Sequence, residues 1–245
     1  MVGETIVVTR PQGDERALTD LLHAHGYRVI HEPLTQILLR HDERHAVAKA
    51  LYDEPDACII TSRHGAQALA LLTEVRDIFL ICVGDATARM ASSLGFARID
   101  VAGGNAKKLT DYILGSYEED SRLLYVSGEH VSTDIVSPLQ KVGMKVERIP
   151  IYEAVASERL SDTIVEQLRR EQLDAVTFLS QRTAHIFTSL IEKAGVQNSV
   201  AHLHGFALSA AITEPLVAHP WKKLHVTDEA TLASLIESVD NAFQR

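Results

Sequence analysis

Six short segments place a small hydroxyl or a glycine directly after an apolar, β-type run: Thr9-Arg10, Thr61-Ser62, Val83-Gly84, Ser127-Gly128, Leu179-Ser180 and Leu208-Ser209. In a parallel α/β sheet these are the carboxyl ends of strands, where ligands collect. Taken singly, each reads as a helix N-cap, because short hydroxyl side chains and glycine are favoured there. Taken as two matched sets, they would line a cleft with hydroxyls and backbone N–H groups at helix N-termini, a surface suited to an anion. A seventh position stands apart. Tyr152 lies in the run Val146-Glu147-Arg148-Ile149-Pro150-Ile151-Tyr152-Glu153-Ala154, two residues after a proline. A tyrosine in a β run is ordinarily half-buried packing, and on chemistry alone that reading leads. A phenol can also give a proton or a hydrogen bond to a leaving hydroxyl, as a general acid.

Other chemistries lack their residues. Gly103-Gly104-Asn105-Ala106-Lys107-Lys108 does not have the spacing of a phosphate loop, and no G-x-G-x-x-G follows a strand pattern. No G-x-S-x-G elbow for acyl transfer occurs. His41 and His45 are four apart in a charged run, but a third ligand and an apolar setting are missing, so a solvated helix face is expected and no metal. His202 and His204 precede a strand and read as a surface loop. Cys58 and Cys82 each sit in an apolar run without redox or metal spacing, which predicts buried, inert thiols.

The elements that must position these residues repeat. Thr5-Ile6-Val7-Val8-Thr9 is a buried β run, followed by a helical pattern (Leu18, Leu21, Leu22), Gly26 and a second β run from Tyr27. The same order restarts at Leu123-Leu124-Tyr125-Val126-Ser127, with Ile135, Val136 and Leu139, then Gly143, then Lys145-Val146. Thr9 and Ser127 are 118 residues apart, and so are Ser62 and Ser180; Pro33 and Pro150 are 117 apart. Alternating apolar strands and amphipathic helices, duplicated at this period, predict two small α/β domains rather than a solenoid. The duplicated runs Val29–Thr35 and Val146–Ala154 each carry a proline, which a sheet edge tolerates. They are expected to be the two places where the chain crosses between halves, with Tyr152 facing the cleft.

The 245 residues are 46% hydrophobic and 23% charged, ordinary for a globular chain with a sizeable core. The net charge of −9 argues against nucleic acid, whose phosphates need a basic face. No run of about 18 apolar residues occurs, so no membrane span is expected. Met1-Val2-Gly3-Glu4 leads straight into a strand pattern without a signal-like segment, and a cytoplasmic location is expected.

The ordered set Thr9-Arg10-Pro11, Ile60-Thr61-Ser62, Val83-Gly84-x-x-Thr87-Ala88, Gly104-Asn105-Ala106, Ile151-Tyr152 and Phe178-Leu179-Ser180 resembles the uroporphyrinogen-III synthase family over the whole chain. The resemblance implies two flavodoxin-like parallel-sheet domains joined by a two-stranded β ladder. One would comprise residues 1–34 with 156–245, the other residues 37–152, with crossings near 31–37 and 149–156. It implies a cyclising hydro-lyase of haem biosynthesis. Such an enzyme takes the linear tetrapyrrole hydroxymethylbilane, expels its terminal hydroxyl and inverts the last pyrrole ring through a spiro intermediate. It then closes uroporphyrinogen III without metal or organic cofactor. Tyr152 would be the candidate general acid. Arg10, Thr61, Ser62, Arg63, Gly84, Thr87, Ser127, Gly128, Ser180, Gln181 and Ser209 would hold the polycarboxylate substrate. The protein would act as a monomer, with hand-over from the preceding pathway enzyme. Two stretches depart from the family pattern. The second copy of the V-G-x-x-T-A turn reads Leu208-Ser209-Ala210-Ala211-Ile212-Thr213, and Gly128 is followed by Glu129-His130-Val131-Ser132-Thr133-Asp134, where many members have a basic residue.

The alternative is a non-enzymatic two-domain binding protein for an anionic small molecule. It shares the duplicated plan but commonly carries an export signal. A tandem of receiver-like domains would need acidic strand ends, and these ends carry Ser and Thr.

Overall fold

The structure is a computed structural model that describes residues 3–131 and 133–244. Eleven strands run through these residues: β1 (Thr5–Val8), β2 (Arg28–His31), β3 (Thr35–Leu39), β4 (Ala57–Ile60), β5 (Phe79–Cys82), β6 (Arg98–Val101), β7 (Arg122–Gly128), β8 (Lys145–Ala156), β9 (Ala175–Phe178), β10 (His204–Ala207) and β11 (Lys223–Val226). The helices are α1 (Arg16–Ala24), α2 (Arg44–Tyr52), α3 (Arg63–Leu72), α4 (Asp85–Ser93), α5 (Ala106–Ser116), α6 (Val136–Lys141), α7 (Asp162–Arg169), α8 (Gln181–Lys193), α9 (Ala210–Thr213) and α10 (Leu232–Phe243).

The chain divides into two compact units, Met1–Gln36 with Val155–Arg245, and Ile37–Ala154. Both divisions fall inside strands, the first in β3 and the second in β8. The first unit holds a five-stranded sheet in the order β11-β10-β9-β1-β2, with every neighbouring pair parallel. Counted along the chain this is 2-1-3-4-5, the flavodoxin-like order. The second unit holds the order β3-β8-β7-β4-β5-β6. Its parallel pairs are β8-β7, β7-β4, β4-β5 and β5-β6. With β7 and β8 taking the first two places, the same 2-1-3-4-5 order returns, and β3 adds an edge beside β8. The two α/β domains expected from the duplication are present, with the flavodoxin-like parallel sheets that the resemblance implies. Each sheet takes its first two strands from one copy of the repeat and its last three from the other.

Strand residues alternate between two cores, as the two-residue side-chain period requires. In the second unit, Cys58, Ile60, Leu124 and Val126 enter one core, while Ala57, Ile59, Leu123 and Tyr125 enter the core on the opposite face. The first unit repeats the arrangement, with Val7, Val176 and Phe178 on one side and Ile6, Val8, Ala175 and Phe206 on the other. Helices covering both faces explain why β1, β4, β9 and β10 are buried along their whole length. One expectation is corrected here. His204 is not in a surface loop: it is the first residue of β10, with its N–H donated to Asp174 O at 2.9 Å, and its side chain is buried. Cys58 and Cys82 are buried thiols, and burial pushes their pKa values up to about 12 and about 11, which makes them inert.

Candidate active site

Within the second unit, the carboxyl ends of β7, β4 and β5 are adjacent because their strands are. Ser62 leaves β4 in an extended conformation and caps α3, its Oγ accepting the Gly65 N–H at 2.9 Å. The same Oγ lies 2.7 Å from the Tyr152 hydroxyl. The phenol comes from β8, and its ring rests on Gly128 at the end of β7. A Cβ on Gly128 would stand 3.0 Å from Tyr152 Cε2 and Cζ, so any larger residue would have to push the ring back by a few tenths of an ångström. Burial raises the phenol's pKa above its ordinary value, the hydrogen bond to Ser62 opposes that rise, and nearby Tyr125 adds to it. The group is therefore a neutral hydrogen-bond donor at physiological pH.

Thr61 and Tyr125 complete this corner, with Thr61 Oγ1 3.2 Å from the Tyr125 hydroxyl. Thr61, Ser62, Val83, Tyr125, Gly128 and Tyr152 line a cavity of about 270 Å³, with His130 and Thr133 at the β7–α6 turn. That falls just under the roughly 300–1,000 Å³ of ordinary small-molecule pockets.

The remaining expected residues fall into two groups. In the second unit, Arg63 opens α3 and Gly84 precedes α4 in an extended conformation, where an added Cβ would meet Gly104 Cα at 3.2 Å. Thr87 is buried on α4, its N–H donating to Gly84 O at 3.1 Å. Ser127 is buried, and its hydroxyl donates to Gly128 O at 2.8 Å while accepting from Arg148 Nε at 2.9 Å. In the first unit, Arg10, Ser180 and Ser209 follow β1, β9 and β10, three neighbours in the sheet. Arg10 pairs with Asp14 at 3.6 Å. Ser180 caps α8 by accepting the Thr183 N–H at 3.1 Å, and Gln181 donates to the Glu214 carboxylate at 2.8 Å. Ser209 precedes α9 without a side-chain cap bond. In the degenerate turn after it, Ile212 is buried and Thr213 Oγ1 turns back to Ala210 O at 2.8 Å.

Two residues at this site escape sequence reasoning. Tyr125 sits in an apolar strand and looks like core, yet its hydroxyl lies at the strand end. Arg148 looks like a solvated charge in an edge strand, yet its guanidinium takes up Ser127 and the backbone beyond it. The only legible signal for either is position, four residues before Tyr152 for Arg148 and two before Ser127 for Tyr125. The carboxylate of Glu129, where many members of the resembled family have a basic residue, pairs with Arg40. Ser132, in the same run, lies outside the described residues. Among the described residues no group of three or more metal-capable side chains comes together, and no helix is long and apolar enough to cross a membrane.

The sequence model of the uroporphyrinogen-III synthase HemD family matches residues 16–237. No curated protein sequence matches the chain. Among solved structures, the chain is similar to uroporphyrinogen-III synthetase from Helicobacter pylori, at 14% identity and a TM-score of 0.64, over 98% of this chain and 99% of that one. It is also similar to a mutant uroporphyrinogen III synthase from the extremely thermophilic bacterium Thermus thermophilus, at 15% identity and a TM-score of 0.58, over 99% of both chains. At these identities the structural likeness speaks for the fold, while the family match spans most of the sequence.

Proposed function

From the premise that the chain belongs to the uroporphyrinogen-III synthase family, we propose that it cyclises hydroxymethylbilane as a hydro-lyase, with Tyr152 assisting loss of the terminal hydroxyl. The observation that carries the role of Tyr152 is its setting: a phenol kept neutral by burial, hydrogen-bonded to a helix-capping serine, at the wall of a cavity. Ser62 already accepts the Gly65 N–H, so its own proton is available to the phenol oxygen. The phenol proton is then directed into the cavity. As the C–O bond of the substrate breaks, the electron pair leaves with oxygen and the phenol supplies the hydrogen bond or proton that makes it water. The cation left behind is stabilised by pyrrole nitrogen. The last pyrrole ring attacks this cation through its already substituted carbon, forming the spiro intermediate; its original bond to the neighbouring methylene then breaks, the electron pair returning to the ring and leaving a second cation stabilised by the adjacent pyrrole nitrogen. Attack on that cation by the ring's free α-carbon, and loss of the proton there, close the macrocycle and restore the phenol.

Little further chemistry is asked of the protein, because the cation forms readily once water departs. The larger demand is that the correct carbon attack, which is catalysis by positioning. Hydroxyls and helix N-termini at Thr61, Ser62, Gly84, Ser180 and Ser209 suit the substrate's carboxylates. Arg10, Arg63, Thr87, Ser127, Gly128 and Gln181 belong to the same strand ends. Hand-over from the enzyme that makes this unstable substrate and action as a monomer in the cytoplasm complete the reading.

The test is incubation with freshly prepared hydroxymethylbilane, oxidation and separation of isomers. Enrichment of isomer III over the spontaneous isomer I is expected; an unchanged yield of isomer I would overturn the assignment. Tyr152→Phe should fold normally and lower kcat by about tenfold or more. A wild-type rate would return Tyr152 to packing.

A further inference from the structure

We infer that Arg148 is a positioning residue for Tyr152: its guanidinium holds the end of β7, and that end seats the tyrosine. The inference rests on the reading of Tyr152 given above. β7 and β8 run in register from Arg122↔Lys145 to Ser127↔Pro150, and then the register slips so that Gly128 faces Tyr152. Such a slip leaves a residue of one strand unpaired and disturbs the ladder, a bulge that re-aims side chains. Pro150, the last residue before the slip, has no N–H of its own. Backbone acceptors at the end of β7 then need donors from elsewhere.

Arg148 supplies them. Its Nε donates to Ser127 Oγ at 2.9 Å, and its Nη2 donates to Gly128 O at 2.8 Å and to Glu129 O at 2.6 Å. The Ser127 hydroxyl passes a further hydrogen bond to Gly128 O. The fixed backbone of Gly128 and Glu129 in turn grips the tyrosine at two points. The Glu129 N–H donates to Tyr152 O at 2.8 Å, and Gly128 lies under the phenol ring. Moving Gly128 by a few tenths of an ångström moves the surface on which the ring rests, and with it the hydroxyl that reaches Ser62. A planar guanidinium can span three acceptors at fixed angles, whereas an ammonium is a point donor.

The experiment is a double-mutant cycle over Arg148→Met, Tyr152→Phe and their combination, with Arg148→Lys alongside, measuring kcat, KM and thermal unfolding. Arg148→Met should lower kcat by about tenfold, and by no more than Tyr152→Phe does, at unchanged KM. Arg148→Lys should recover less than half of the wild-type kcat. The combined variant should be no slower than Tyr152→Phe alone, because the two residues act as one unit. Multiplying losses in the combined variant, or a raised KM at unchanged kcat in Arg148→Met, would overturn the inference while leaving Tyr152 as the general acid. A wild-type kcat in Tyr152→Phe would instead remove the premise itself. Should Arg148→Met not fold, the same cycle on Arg148→Lys decides by the same criteria.

Discussion

Ser62 concentrates two tasks in one hydroxyl. It accepts the Gly65 N–H at the start of α3 and contacts the Tyr152 hydroxyl. Removing it separates them. Ser62→Ala should cost about 1 kcal/mol of stability, the usual loss of a serine cap, and should also slow turnover several-fold by freeing the phenol. Ser62→Thr, which keeps the hydroxyl, should restore most of both. Denaturant titration reads the first effect and the isomer assay the second; wild-type turnover in Ser62→Ala would show that the phenol does not depend on this partner. The sequence singles out the two residues separately, Ser62 because serine recurs at the repeat offset and Tyr152 because it stands in a crossing run, and does not show that they touch. Arg148 was illegible for the opposite reason. Its value lies in where its donors point after the bulge, and a lone arginine on a strand edge carries no such information.

At the scale of elements, strand ends and caps were readable, and pairings across strands were not. Ser62 and Ser180 accept the backbone N–H three residues on, as the sequence predicts, whereas the helices after Thr9-Arg10 and Ser127-Gly128 start later, behind Glu15 and Ile135, and the hydroxyls of Thr9 and Ser127 donate to backbone carbonyls instead. His204 shows the limit. Its neighbours His202 and Gly205 interrupt the apolar run, and the partner that makes burial tolerable lies on the next strand. His204 Nδ1 meets His225 Nε2 at 2.8 Å, and His225 stacks on Phe206. One ring donates and the other accepts, so the pair is held neutral. Burial first, then His204 and Lys223, push the pKa of His225 down to about 4. Burial, Lys222 and Lys223 also lower that of His204, against a pull upward from Asp174. With folded values below the unfolded value of about 6.5, the unfolded chain binds more protons in between. The stability from neutral rings is full above pH 6.5 and is lost as pH falls toward 4. Urea titrations across that window should show stability declining in the wild type and declining less in His225→Gln, which keeps a hydrogen-bonding group but cannot titrate. Equal slopes would assign the acid sensitivity to carboxylates elsewhere.

Across the whole molecule, the duplication was legible because each sheet obeys the same strand order, and a chain that repeats its turns must repeat its strand ends. Which copy supplies which strand was set by the crossing runs that lead into β3 and along β8; the edge expected from their prolines belongs to β3, while β8 lies between β3 and β7. Net charge is the other property of the whole, and it makes a prediction that no single residue does. The chain carries −9 at pH 7, and its proposed substrate is a polycarboxylate. At long range the two repel, and hydroxyls and helix N-termini act only at contact. The screening length falls from about 30 Å at 10 mM salt to about 8 Å at 150 mM, so added salt should remove the repulsion before it weakens the contacts. The expected result is that kcat/KM rises several-fold between about 10 and 150 mM sodium chloride, with kcat nearly constant because positioning within the complex is a short-range matter. The measurement is initial rate at low substrate across that range. A kcat/KM that falls with salt would mean that local cations such as Arg10 and Arg63 outweigh the field of the whole chain during encounter, and the substrate would then be steered rather than merely received.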